Sequence, residues 1–119
     1  MKKLTKGQME AEISNKIIQF EKEHMGRGPT EAKTFLLEDM VLVRLKNVLT
    51  PAEHQLAKTH EGKGLIKQVR VQLFENARSI LEELITSVTG ASVVSIHSDI
   101  STVTGERVIV FVLNKHLKE

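Results

Sequence analysis

Val93-Val94-Ser95-Ile96-His97-Ser98-Asp99-Ile100 is followed by Thr104-Gly105-Glu106 and then by Val108-Ile109-Val110-Phe111-Val112-Leu113. Side chains along a strand alternate between two faces. The first run therefore puts Val94, Ile96, Ser98 and Ile100 on one face and Val93, Ser95, His97 and Asp99 on the other. Gly105 marks a turn. The second run, six apolar residues without a break, predicts a central strand buried on both faces. Together they read as a hairpin.

Upstream of this hairpin the period changes. Ile66, Val69, Leu73, Ala77, Ile80, Leu84 and Val88, widened by Phe74, Leu81 and Ile85, predict one long helix with a broad apolar face. Gly90 ends it as a left-handed cap. Glu61-Gly62-Lys63-Gly64 reads as a joint before it. In Thr50-Pro51-Ala52-Glu53, Thr caps, Pro takes the first helical position and Glu closes a capping box, so a short helix is expected from Pro51 to about Thr59.

Thr30 to Leu45 reads as strand again. Lys33-Thr34-Phe35-Leu36-Leu37 and Met40-Val41-Leu42-Val43-Arg44-Leu45 flank Glu38-Asp39, a two-residue connection that predicts a tight hairpin, although the preferred pairs are Asn-Gly and Asp-Gly. The second run is apolar on both faces and belongs away from a solvent edge. At the start of the chain Thr5 and Gln8 have capping-box spacing. Met9, Ile13, Ile17 and Phe20 form one apolar stripe, with Glu10, Glu12, Lys16, Glu21 and Lys22 on other faces. This helix should stop near Met25, ahead of Gly26, Gly28 and Pro29. Its stripe can pack on the chain's own sheet or on a partner chain.

The order is thus α, ββ, αα, ββ. It predicts an α+β fold over residues 1–119 as a single domain, with a four-stranded antiparallel sheet and helices on one face. The 119 residues suffice for one core and not for two. The element order is also similar to the tunnelling fold of the pterin and purine enzymes, whose subunits join sheets around a ring.

Composition narrows the function classes. With four Phe and no Trp or Tyr, the chain offers few rings on which bases could stack, which argues against single-strand nucleic acid as partner. A net charge of +2 is too mild to demand a nucleic acid or an anionic membrane. No Cys means no disulfide, thiol nucleophile or thiolate metal site. The basic start, Met1-Lys2-Lys3-Leu4-Thr5-Lys6, has no apolar run behind it and does not read as a secretory signal. No 18 consecutive apolar residues occur, so no transmembrane segment is expected. The expected location is cytoplasmic or peripheral to the membrane.

The candidate ligand-binding residues are Arg27, Lys63, Arg70, Arg78, His97 and Asp99. Lys63 and Arg70, with Lys58 and Lys67, gather near the Gly62–Gly64 joint and could form an anion site, though a solvated basic face has the same pattern. Arg27 lies in the Gly26-Arg27-Gly28-Pro29 turn. His97 and Asp99, two apart on a strand, share a face and could make a general base, although alternating polar residues are also what a solvent-facing strand shows. His24, His54, His60, His97 and His116 include no i, i+4 pair and no HExxH motif. No metal site, cofactor or catalytic residue is assigned.

Arg70 through Gly90, with Glu75-Asn76-Ala77-Arg78, Leu81-Glu82 and Val88-Thr89-Gly90, followed by Val93 to Asp99 and Val108 to Leu113, resembles the MpsC-like family of small bacterial proteins. So does Gly26-Arg27-Gly28-Pro29 ahead of a Thr-containing hairpin. The resemblance implies a part in a sodium-translocating, membrane-potential-generating system of Gram-positive bacteria, whose membrane subunits resemble inorganic-carbon uptake proteins. It carries no catalytic or binding residues. The leading expectation is a non-enzymatic accessory or regulatory protein that acts with membrane transporter subunits. It should be a homo-oligomer, a dimer first, joined by its sheet edges or its N-terminal helix. The alternative is a tunnelling-fold-like oligomeric enzyme or small-ligand-binding module, with His97, Asp99 and Arg78 at an intersubunit pocket.

Overall fold

The computed structural model describes residues 4–117; Met1-Lys2-Lys3 of the basic start and the last two residues of the polar end lie outside the described residues. Helix α1 (Lys6–His24) starts at the expected capping box. The Gln8 N–H donates to Thr5 Oγ1 at 3.2 Å, and Gln8 Oε1 accepts from the Thr5 N–H at 2.9 Å. Met9, Ile13, Ile17 and Phe20 are all buried against the chain's own sheet and helices. Glu10 Oε2 takes the Leu36 N–H at 2.9 Å, and the Ser14 and Thr34 hydroxyls pair at 2.8 Å. The α1 stripe is thus consumed within the chain and offers no surface to a partner.

Strands β1 (Glu31–Leu37) and β2 (Met40–Lys46) form the first hairpin, with Leu37 opposite Met40. Glu38 takes the left-handed conformation that the tight turn needs, at φ 57°. Helix α2 (Pro51–Leu56) has the second capping box and ends three residues earlier than expected. Helix α3 (His60–Asn76) begins at Thr59, whose hydroxyl accepts from the Gly62 N–H at 2.9 Å. Gly62 and Gly64 therefore lie in the first turns of α3, and the joint is formed by Ala57 to Thr59. Gly62 is required there for space: a Cβ on it would sit 1.7 Å from the Leu56 carbonyl oxygen.

The expected long helix is divided. It breaks at Ala77, which closes α3 and opens α4 (Arg78–Thr89). The apolar residues keep helical spacing through the break, and no Gly or Pro marks it. Ile66 and Phe74 of α3, Ala77 at the break, and Leu81 and Ile85 of α4 all join one core cluster, while Val69, Leu73 and Ile80 of the expected apolar face are exposed. Gly90 ends α4 as a left-handed cap, at φ 74°.

Strands β3 (Val93–Ile100) and β4 (Arg107–Leu113) form the second hairpin, with a bulge between Val93 and Ser95. The sheet is antiparallel throughout, in the order β1-β2-β4-β3. The fold is α+β with helices on one face, as the sequence predicts. β2 and β4 are central, but burial on both faces is not what is seen for β4. Ile109, Phe111 and Leu113 are buried under the helices, while Val108, Val110 and Val112 are only half-buried. No described segment covers the second face of the sheet.

Candidate functional site

Three charged residues stand where the period of their own element puts apolar ones. Glu21 follows Ile13 and Ile17 at steps of four along α1. Arg70 lies midway between Ile66 and Phe74 on α3. Arg107 shares a face of β4 with Ile109, Phe111 and Leu113. All three are buried, at 0%, 2% and 2% exposure, and they meet inside the protein.

Arg70 is the best-held member. Its Nε donates to Glu53 Oε2 at 2.8 Å, its Nη2 to Glu53 Oε1, and Nη2 again to the Val48 carbonyl at 2.9 Å. Glu21 lies between the two guanidinium groups, 3.9 Å from Arg70 Nη1 and 3.9 Å from Arg107 Nε. Those are ion-pair distances too long for hydrogen bonds. Both Glu21 oxygens, Arg70 Nη1, and Arg107 Nε and Nη2 have no hydrogen-bond partner. The remaining Arg107 nitrogen, Nη1, donates to Ser98 Oγ at 2.8 Å, and the guanidinium lies 5.2 Å from the Phe74 ring centroid, in cation–π range.

Burial decides the electrostatics. It pushes the Glu21 carboxyl above the ordinary carboxylate range, against the pull of Arg107 and Arg70. Burial likewise lowers Arg107, with Glu21 opposing. It would also raise Glu53, but there the hydrogen bonds from Arg70 and Thr50 prevail and hold the carboxyl below its ordinary value.

Beside this cluster, between α3 and the outer strand β3, is a cleft of about 360 Å³ whose walls include Lys67, Arg70, Phe74, His97, Asp99 and Arg107. Three of the sequence candidates, Arg70, His97 and Asp99, meet here. His97 Nε2 lies 3.1 Å from Ser95 Oγ on the exposed strand, while Asp99 pairs with Lys67 of α3 at 3.5 Å. The other candidates lie elsewhere. Arg27 donates to the Leu49 carbonyl at 3.3 Å, Lys63 is in the first turn of α3, and Arg78 pairs on the surface with Glu82 at 3.0 Å. Sequence reasoning missed Glu21, Glu53 and Arg107 as site residues. The available signal was a charge in line with an apolar stripe. Among the described residues no group of three or more His, Asp or Glu side chains is placed to hold a metal ion.

Residues 5–115 match the family described as Na+-translocating membrane potential-generating system (MpsC). Two proteins of Bacillus subtilis (strain 168) are similar over almost their whole length. The uncharacterized protein YbcI is 46% identical over 117 residues, covering 98% of this chain and 94% of that one. The uncharacterized protein YrhF is 30% identical over 113 residues, covering 91% and 89%. No solved structure matches. The chain belongs to the MpsC family.

Proposed function

We propose that this protein is a non-enzymatic accessory subunit of a bacterial Na+-translocating, potential-generating membrane system, acting from the cytoplasmic side by docking on membrane subunits. The single observation that carries this reading is the family match over residues 5–115. No described helix is long and apolar enough to cross a membrane, so the role assigned here is binding. A surface for it lies on α3, where Leu65, Val69 and Leu73, at steps of four, are between 39% and 55% exposed. Leu56 of α2 adds to the exposed apolar area. A stripe of this kind suits a groove or helix on another protein.

The test is affinity purification of the tagged protein from detergent-solubilised membranes of its own bacterium, with the co-purifying subunits identified by mass spectrometry. Membrane subunits of the Na+ system should be retained by the wild type and lost with Val69→Asp, whose folding is checked by circular dichroism. Retention of no such subunit, or equal retention by the folded variant, would overturn the reading. A second reading, a small-ligand-binding module, draws on the α3–β3 cleft, in which Arg70, His97 and Asp99 meet. A native mass spectrum showing a stoichiometric bound molecule would favour it.

A further inference from the structure

The two buried guanidinium groups are not equally held. Arg70 has a hydrogen-bonded carboxylate in Glu53. Arg107, 2% exposed, has none. Its counter-charge is Glu21, which stands 3.9 Å away without a hydrogen bond and is shared with Arg70. Burial also favours the neutral form of Glu21. Once that carboxyl is protonated, one positive charge in the interior has no partner.

Arg107 is also a wall of the α3–β3 cleft. Its Nη1 meets the cleft at the exposed Ser98, whose hydroxyl accepts from it at 2.8 Å. The cleft touches five consecutive residues of β3, Ile96 to Ile100, and so runs along the free edge of this outer strand. Backbone groups of such a strand turn alternately to its two edges. The Ser101 N–H turns inward to the Glu106 carbonyl, while the Ile100 N–H turns outward and donates to Asp99 Oδ1 at 2.8 Å. The Ser98 N–H, two residues back, therefore also faces the free edge, where no described strand pairs with it. The acids of the cleft are occupied: Asp99 by Lys67 and the Ile100 N–H, and Glu75 by Arg78 at 4.0 Å. From α3 the wall adds the ammonium of Lys67 and the apolar Val71 and Phe74.

Donors that converge on a partly apolar cleft suit an acid with a hydrocarbon body. We propose that the cleft binds a small organic monoanion, its carboxylate held by Arg107, Lys67 and the N–H and hydroxyl of Ser98, and its apolar body lying against Val71 and Phe74. A planar carboxylate matches a guanidinium in shape. Its single charge equals the one left over when Glu21 is neutral, and a phosphate dianion exceeds it. The inference rests on the second reading above, a small-ligand-binding module, and names the class of its ligand.

Two-dimensional NMR of the isotope-labelled protein, titrated with benzoate, benzamide and inorganic phosphate, tests it. Benzoate should shift the Ser98 amide signal and saturate with a Kd of about 1 mM, in keeping with its size. Benzamide, which has the same shape without the charge, and phosphate should each bind about tenfold more weakly or worse. Ser98 is exposed, so substitutions there should leave the fold intact. Ser98→Asp sets a carboxylate within reach of Arg107 Nη1 and should abolish benzoate binding, whereas the neutral Ser98→Asn should keep it. No saturable shift with benzoate overturns the proposal, as does an equal effect of the two Ser98 variants. Benzoate and benzamide binding alike in the cleft would also overturn it, while leaving the ligand-binding reading intact.

Discussion

Arg70 of α3 grips both carboxylate oxygens of Glu53, the same carboxylate that caps the start of α2 by accepting the Thr50 N–H at 2.9 Å. One guanidinium thus ties the half-buried carboxylate at the start of α2 to the Val48 carbonyl. Removing one partner of a buried pair leaves the other uncompensated, at a cost of roughly 3–5 kcal/mol. Arg70→Met should lose about that much in urea unfolding. Arg78→Met removes an exposed pair and should lose under about 1 kcal/mol. Equal losses at the two positions would show that Arg70 does not organise the interior.

Glu21 makes stability depend on pH. Its carboxyl titrates above the ordinary 4.5 because burial favours the neutral form. Between 4.5 and that raised value the folded state holds a proton that the unfolded state has released. The contribution is therefore complete below 4.5 and is lost as pH rises through the folded value. Glu53 works the other way: its stabilisation is present above its ordinary value and is lost as pH falls through the lowered one. Glu21→Gln should remove the first slope and keep the second. Urea midpoints measured against pH for both proteins check this, and parallel profiles would contradict it.

Core substitutions should separate the two faces of the second hairpin and its helix. Phe111 is 0% exposed, so Phe111→Ala should cost about 3–5 kcal/mol. Leu81, fully buried on α4, should cost about 2–5 kcal/mol on change to Ala. Leu84 is only half-buried, and its loss should be smaller than that of Leu81. Denaturant titration of the three variants decides it. A Leu84 loss above that of Leu81 would mean α4 is rotated about its axis.

Two neighbouring glycines should behave in opposite ways. Gly62→Ala drives a methyl group into the Leu56 carbonyl and must open the α2–α3 joint. Gly64 meets nothing within 4 Å of an added Cβ. Gly64→Ala should therefore gain up to about 1 kcal/mol from helix propensity alone. Thermal melts would expose an error if Gly62→Ala proved neutral.

Much of this fold is legible in the sequence because its signals are local. Both capping boxes, the Gly90 cap, the alternation in β3 and the apolar runs of β2 and β4 depend on residues a few positions apart. The break at Ala77 leaves no such mark: helical spacing runs through it and no Gly or Pro stands there, yet the Ala77 backbone leaves the helical conformation, at φ −100° and ψ 7°. The open sheet face is similar, since Val108, Val110 and Val112 are as apolar as the buried residues between them. The interior site was hidden for another reason. Glu21 and Arg107 look like surface charges unless each is lined up with the apolar stripe it interrupts, and their meeting depends on how α1 and β4 are brought together in space.

The most direct test of the accessory role is the Na+-dependent membrane potential of the bacterium, followed with a potential-sensitive dye. Deleting this protein's gene should lower the Na+-dependent part of the signal. The wild-type gene should restore it, while a folded Val69→Asp variant should not. An unchanged Na+-dependent potential in the deletion strain would contradict the account.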